Sequence, residues 1–232
     1  MPLQALDPCL RFFEAQPWFI ALPPETRDRV LLAVRLQKGE KGQTLLQANT
    51  PVKGWYAVLS GLVKLESLSS DGRRSTFLGA PAGEWFGEGS ALKTEPRRYD
   101  VIALRDTELL CLPRAMFDEL RTGNLAFSQF LVQHLNRRLG QAMAIIEASR
   151  TRSPEQRVAL YLSRIFWPGL RRLNLSQEEL GHLVGLSRQT VNRVLQSLEQ
   201  RGLVSLASGR VAILDEQALQ AYLDAGAATI LP

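Results

Sequence analysis

Arg188, Gln189, Asn192 and Arg193 crowd into one short stretch of this chain, and their side chains suit base edges. Arginine presents a planar fork to guanine O6 and N7, while glutamine and asparagine pair a donor and an acceptor with adenine. Carried on one helix, these groups would read a DNA major groove. The polar face holds no carboxylate before Glu199, and a carboxylate there would repel phosphate. Arg210, closing the turn Ala207-Ser208-Gly209-Arg210, is placed to reach a backbone phosphate. An ordinary solvated helix face is the plainer alternative.

Chemistry of the catalytic kind is not in evidence. The sequence offers no pairable nucleophile and base and no metal-spaced histidine cluster, and Phe86-Gly87-Glu88-Gly89 lacks the strand-to-helix context of a phosphate-transfer loop. We therefore expect no enzyme and no metal site.

The elements that must position the polar residues are legible nearby. Ser176-Gln177-Glu178-Glu179 is a capping box opening a short helix with Leu180, Leu183 and Val184. Gly185 suits a left-handed turn, and Ser187 caps a second helix running to Gly202. On that helix Val191, Val194, Leu195 and Leu198 form the inward stripe. Two helices joined by a short glycine turn make a helix-turn-helix. Leu203–Leu206 and Val211–Ile213 then read as a hairpin, the wing. Residues 151–214 hold nine arginines against four acids, the charge pattern of a polyanion contact.

Upstream, residues 1–35 read as helical, with Pro23-Pro24-Glu25 suited to opening a second helix with a proline at its first position. From about residue 36 short apolar runs alternate with glycines, and Trp55–Leu59, Leu62–Glu66, Thr76–Leu78 and the span Val101–Leu112 read as strands of a sandwich or barrel. The Ser70-Asp71-Gly72 turn marks a hairpin. Pro113 ends this region. Met116, Phe117 and Leu120 form a helix broken at Gly123, and a long helix follows from Asn124 to about Ser149. At roughly 25 residues, about 37 Å, it outruns one small domain and favours packing on a copy of itself. Ser153-Pro154-Glu155-Gln156 starts the next helix, which Trp167-Pro168-Gly169 should end. The expected domains are residues 1–123, a sensor; 124–150, a dimerisation helix; and 151–232, a winged helix-turn-helix.

The bulk properties agree. With 232 residues, 45% hydrophobic and a net charge of +5, the chain can bury one or two real cores. Its longest charge-free stretch, Thr122–Asn136, is too short for a bilayer. No apolar segment marks a secretory signal, so the cytoplasm is the expected location. Cys9 and Cys111 are too few for a disulfide framework or a four-thiolate cluster.

Leu186-Ser187-Arg188-Gln189-Thr190-Val191-Asn192-Arg193 resembles the signature of the Crp/Fnr family of transcription regulators, and the β-roll, central helix and winged helix follow in that family's order. The resemblance implies an α+β fold with an N-terminal cyclic-nucleotide-binding-type β-roll. It also implies a homodimer, through helix 124–150, on a pseudo-palindromic promoter site in double-stranded DNA, in contact with RNA polymerase. Arg188 and Arg193 match positions that contact guanine and nearby backbone; Ser187 and Thr190 match phosphate-side positions. Gln189 stands where glutamate is commonest, which should alter a TGTGA-like half-site at one base pair.

Phe86-Gly87-Glu88 with Arg98 resembles the family's phosphate-binding cassette. There the arginine would hold a cyclic phosphate and the glutamate a ribose hydroxyl. Tyr99 and Asp100 replace the usual hydroxyl donor after the arginine, and Ala142 and Met143 stand where cAMP-responsive members offer a Thr-Ser pair. The expected effector is therefore not cAMP. A cAMP-dependent activator and a haem sensor using His134 or Cys111 remain alternatives, as does a Glu88–Arg98 ion pair that merely braces the roll. A sensor module acting on something other than DNA would have no use for Arg188 and Arg193.

Overall fold

The computed structural model describes residues 3–69, 71–72, 74–93, 95–167, 172–207 and 210–228. These divide into two compact units, residues 1–136 and 137–232.

The first unit opens with α1 (Leu3–Glu14), α2 (Pro17–Ile20) and α3 (Pro24–Ala33), with Pro24 at the helix start as its fixed φ favours. Strands β1 (Arg35–Gly39), β2 (Thr44–Leu46), β3 (Gly54–Ser60), β4 (Leu62–Leu68), β5 (Arg74–Pro81) and β6 (Trp85–Phe86) follow. After α4 (Glu88–Lys93) come β7 (Asp100–Ala103) and β8 (Thr107–Pro113), then α5 (Arg114–Gly123) and α6 (Leu125–Thr151). The strands form two antiparallel sheets, ordered β1-β8-β3-β6 and β2-β7-β4-β5. This is the β-roll.

Alternation along the strands splits the apolar residues between two cores. Tyr56, Val58, Val63, Leu65, Phe86, Val101, Ala103 and Leu109 form one of them. Trp55, Trp85, Leu110 and Leu112 join Phe13, Trp18, Phe117, Phe127 and Leu131 from the helices in the other. That second core is a web of aromatic contacts, with Trp55 stacked on Trp85 at 4.2 Å and Trp18 edge-on to Phe127 at 4.9 Å. Asn124 starts α6 by accepting the Phe127 N–H through Oδ1 at 2.9 Å.

The boundary between the units falls inside α6. The second unit continues with α7 (Pro154–Leu162), β9 (Arg172–Ser176), α8 (Gln177–Val184), α9 (Arg188–Gln200), β10 (Val204–Ala207), β11 (Arg210–Ile213) and α10 (Glu216–Ala228). Its sheet is ordered β10-β11-β9. Val158, Leu162, Leu180, Val191, Leu195, Leu198, Val204 and Leu219 are buried in it.

Helix α7 stops at Leu162, earlier than the sequence suggested; Pro168 and Gly169 lie outside the described residues. The reason is aromatic. Phe166 stacks on Tyr161 at 4.6 Å and Trp167 Nε1 donates to the Tyr161 carbonyl at 2.7 Å, which folds the chain back after Ser163. Strand β9 was not anticipated; among the described residues its pairing is a tertiary one, to β11.

Candidate functional site

Helix α9 is set by local interactions. Ser176 and Glu179 complete a reciprocal capping box at the start of α8, and Gly185 ends α8 in the left-handed conformation at φ 68°. Ser187 Oγ accepts the Thr190 N–H at 3.1 Å and starts α9. Gly181 lets the chain cross closely between the two helices: a Cβ there would lie 2.9 Å from the Leu186 carbonyl oxygen. Val191, Val194, Leu195 and Leu198 are buried, so the opposite face is presented outward.

On that face Ser187, Arg188, Gln189 and Arg193 are exposed, and Thr190 and Asn192 are half-buried. Ser187 and Thr190 also share a hydroxyl contact of 2.9 Å. Arg210 is exposed at the start of β11; the wing tip at Ser208 and Gly209 lies outside the described residues.

Two supporting hydrogen bonds were not anticipated from the sequence. Arg157 Nη2 donates to the Val184 carbonyl at 2.8 Å, satisfying the C-terminal end of α8. Glu199 Oε1 accepts the Leu206 N–H at 2.7 Å and ties the end of α9 to the wing. The acid that ends the carboxylate-free face thus fastens the wing. At the start of α7, the Glu155 carboxyl is held below its usual range by its own backbone N–H and the Ser153 hydroxyl, with the Arg193 charge adding to this.

In the roll, the cassette differs from the sequence expectation. Arg98 is 73% exposed and bonds Glu95 at 2.8 Å. The arginine inside is Arg97, 2% exposed. Val101 and Ala103 of β7 point into the core with Asp100 on the other face, and in the bend just before the strand Arg97 turns inward and Arg98 outward. Asp100 accepts the Ala48 N–H at 2.7 Å. Tyr99 packs against the core between the sheets and meets Phe77 edge-on.

Arg97 is fixed by its backbone, which receives the Asn49 N–H at 2.7 Å and donates to the Thr50 carbonyl at 3.0 Å. Its guanidinium lies 5.1 Å from the Tyr56 ring centroid and 5.8 Å from that of Tyr99. Nη1 has no hydrogen-bond partner among the described residues. Gly87, at φ 88°, brings its backbone close; a Cβ there would lie 3.4 Å from Nη1. Phe86 is buried and stacks on Tyr56. A buried cation without a carboxylate partner is suited to receiving an anion.

Arg98 turns to Glu95, and Glu88 Oε2 lies 3.4 Å from Nε2 of His134 on α6, a contact between a buried carboxylate and an imidazole in place of the expected Glu88–Arg98 brace. Cys111, the other residue considered for haem, sits against Tyr56 in the core between the sheets, and burial pushes its thiol up. His134 and Cys111 are thus each packed against a protein partner. Ala142 and Met143 are exposed on the part of α6 in the second unit.

A β-roll with an inward arginine and a winged helix-turn-helix with an arginine-bearing second helix define the class: a DNA-binding transcription regulator. Comparison with known proteins agrees. The cyclic nucleotide-binding domain model matches residues 36–124, and the Crp-like helix-turn-helix domain model matches 156–222. The chain is 31% identical to the Cyclic AMP receptor protein of Thermus thermophilus over 208 residues, 89% of this chain and 96% of that one. It is 31% identical to Transcriptional regulator SdrP of the same organism over 172 residues, 71% and 81% of the two chains. In fold it is similar to FixK2 from Bradyrhizobium japonicum, at TM-score 0.68 and 22% identity, covering 81% of this chain and 96% of that one. The chain belongs to the Crp/Fnr family. Among the described residues no helix is long and apolar enough to cross a membrane.

Proposed function

We propose that the protein is a cytoplasmic, sequence-specific regulator that binds a pseudo-palindromic duplex as a homodimer and contacts RNA polymerase from there. Residues 1–123 act as sensor, 124–150 as dimerisation helix and 151–232 as DNA-binding domain. Ser187, Arg188, Gln189, Thr190, Asn192, Arg193 and Arg210 make the DNA contacts. The observation that carries this is the exposed, carboxylate-free N-terminal half of α9, held on a capped and glycine-turned scaffold.

A second observation supports the dimer. Leu125, Val132, Leu139 and Ile146 are 50–73% exposed and recur every seven residues along α6, with Met143 beside them. A heptad stripe of this kind suits a second copy of the same helix.

The roll takes an anionic effector at Arg97, and that effector is not cAMP. The guanidinium fits an anion, but Glu88 is engaged by His134, and neither Ala142 nor Met143 carries a donor for a base. Duplex binding by the wild type and by Arg188→Ala/Arg193→Ala tests the reading. The variant should lose sequence preference, by about 1–3 kcal/mol per arginine. Equal preference in both proteins would remove α9 as the reader.

A further inference from the structure

Glu88, the first residue of α4, meets His134 of α6, and the two helices also share a core in which Ala91 lies with Phe127 and Leu131. The Glu88 and His134 side chains are 13% and 1% exposed. The imidazole is edge-on to Trp55 at 5.7 Å and stacked on Phe130 at 6.1 Å. Both aromatic rings belong to the core under the helices, not to the core between the sheets. Glu88 therefore reaches toward the helices, while its neighbour Gly87 lies against Arg97 in the other core. An anion accepting from Arg97 Nη1 must settle beside Gly87, one residue from the carboxylate that α6 holds.

We infer that His134 is a positioning residue of the effector cassette: from α6 it holds the Glu88 carboxylate, and a ligand seated at Arg97 works against that hold when it moves the Gly87–Glu88 turn. This rests on the reading of the roll as an effector site. A ligand shifts a conformation only through contacts that differ between two states, and the pair supplies such a contact on a helix that runs unbroken to Thr151. Residues in direct contact couple in their effects, so the two are tested as a unit.

The test is a double-mutant cycle in the full-length protein. His134→Leu, Glu88→Gln and the double variant are titrated against one duplex by fluorescence anisotropy, without added effector, at a temperature where circular dichroism shows each folded. Each single change should raise affinity about fivefold or more, by releasing the held state. The double variant should match the singles, and His134→Gln, which keeps a donor, should return toward wild type. Singles within about twofold of wild type despite a lowered Tm would make the pair merely structural and overturn the inference. Effects that multiply in the double variant would overturn it as well. The underlying reading is tested separately by titrating inorganic phosphate. Phosphate should raise the Tm of wild type and not of Arg97→Gln, and an equal response in the two would remove the anion site whatever the cycle shows.

Discussion

The Arg97 guanidinium sits 5.1 Å from the centre of the Tyr56 ring, inside the roll and closed off from water. The rings of Tyr56 and Tyr99 face it there. Burial pushes the Tyr56 hydroxyl well above the usual tyrosine range, helped by its contact with Cys111, so the phenol carries no charge at neutral pH. Aromatic faces stabilise a cation by about 0.5–2 kcal/mol, less than the several kcal/mol that burying one costs.

Arg97 should therefore weaken the ligand-free fold or leave it unchanged. Arg97→Met is expected to hold or raise stability in urea unfolding, by up to about 2 kcal/mol. Arg98→Met, which breaks an exposed pair with Glu95, should change it by less than about 0.5 kcal/mol. A loss of about 3 kcal/mol in Arg97→Met would assign Arg97 a structural role instead.

Gly181 is needed for space. The Cβ of an alanine would meet the Leu186 carbonyl at 2.9 Å, and backbone must then shift. Gly181→Ala should cost about 1–3 kcal/mol in the same measurement.

In the proposed DNA contact, Gln189 sets one base. Gln189→Glu exchanges a side chain that both donates and accepts for one that only accepts, so selected sites should change at a single position per half-site, toward cytosine. An unchanged motif would take Gln189 off the base edge.

The DNA-reading half was the more legible because its signals are local. Ser153 with Gln156, Ser176 with Glu179, and Gly185 declare helix ends within a few residues of themselves, and the structure has each of those ends. The cassette depended on longer-range facts. Counting from Glu88 selected Arg98, whereas the bend before β7 turns Arg97 inward, and strand periodicity does not reach back to that residue. The partners of Glu88 and Glu199 were not available, since His134 and Leu206 come to them only through packing.

The stripe on α6 predicts an assembly. Leu139→Glu places a charge in the middle of the exposed heptad, where each copy would face the other. Sedimentation should show the dimer dissociation constant rising tenfold or more, on the order of 1.4 kcal/mol. Unchanged assembly would move the interface elsewhere.

Acid should weaken the roll at a named place. Burial pushes the Glu66 carboxyl up, but hydrogen bonds from Lys64 and from Arg74 at 2.8 Å outweigh it and hold Glu66 below its usual range. A depressed value contributes stability that is full above the unfolded value, about 4.3, and lost as pH falls through the folded one. The stability gap between wild type and Glu66→Gln should thus be widest near neutrality and close below about pH 4. A gap that stays constant on acidification would contradict the assignment.

The central claim is that α9 reads DNA as one half of a symmetric pair, without a cyclic nucleotide. Selection of bound duplexes from a random pool, run with and without cAMP, tests it most directly. The account predicts the same two-fold-symmetric motif in both pools, related to TGTGA and altered at the pair read by Gln189. A motif that emerges only with cAMP would contradict the reading of the roll, and enrichment without two-fold symmetry, or none, would contradict the reading of α9.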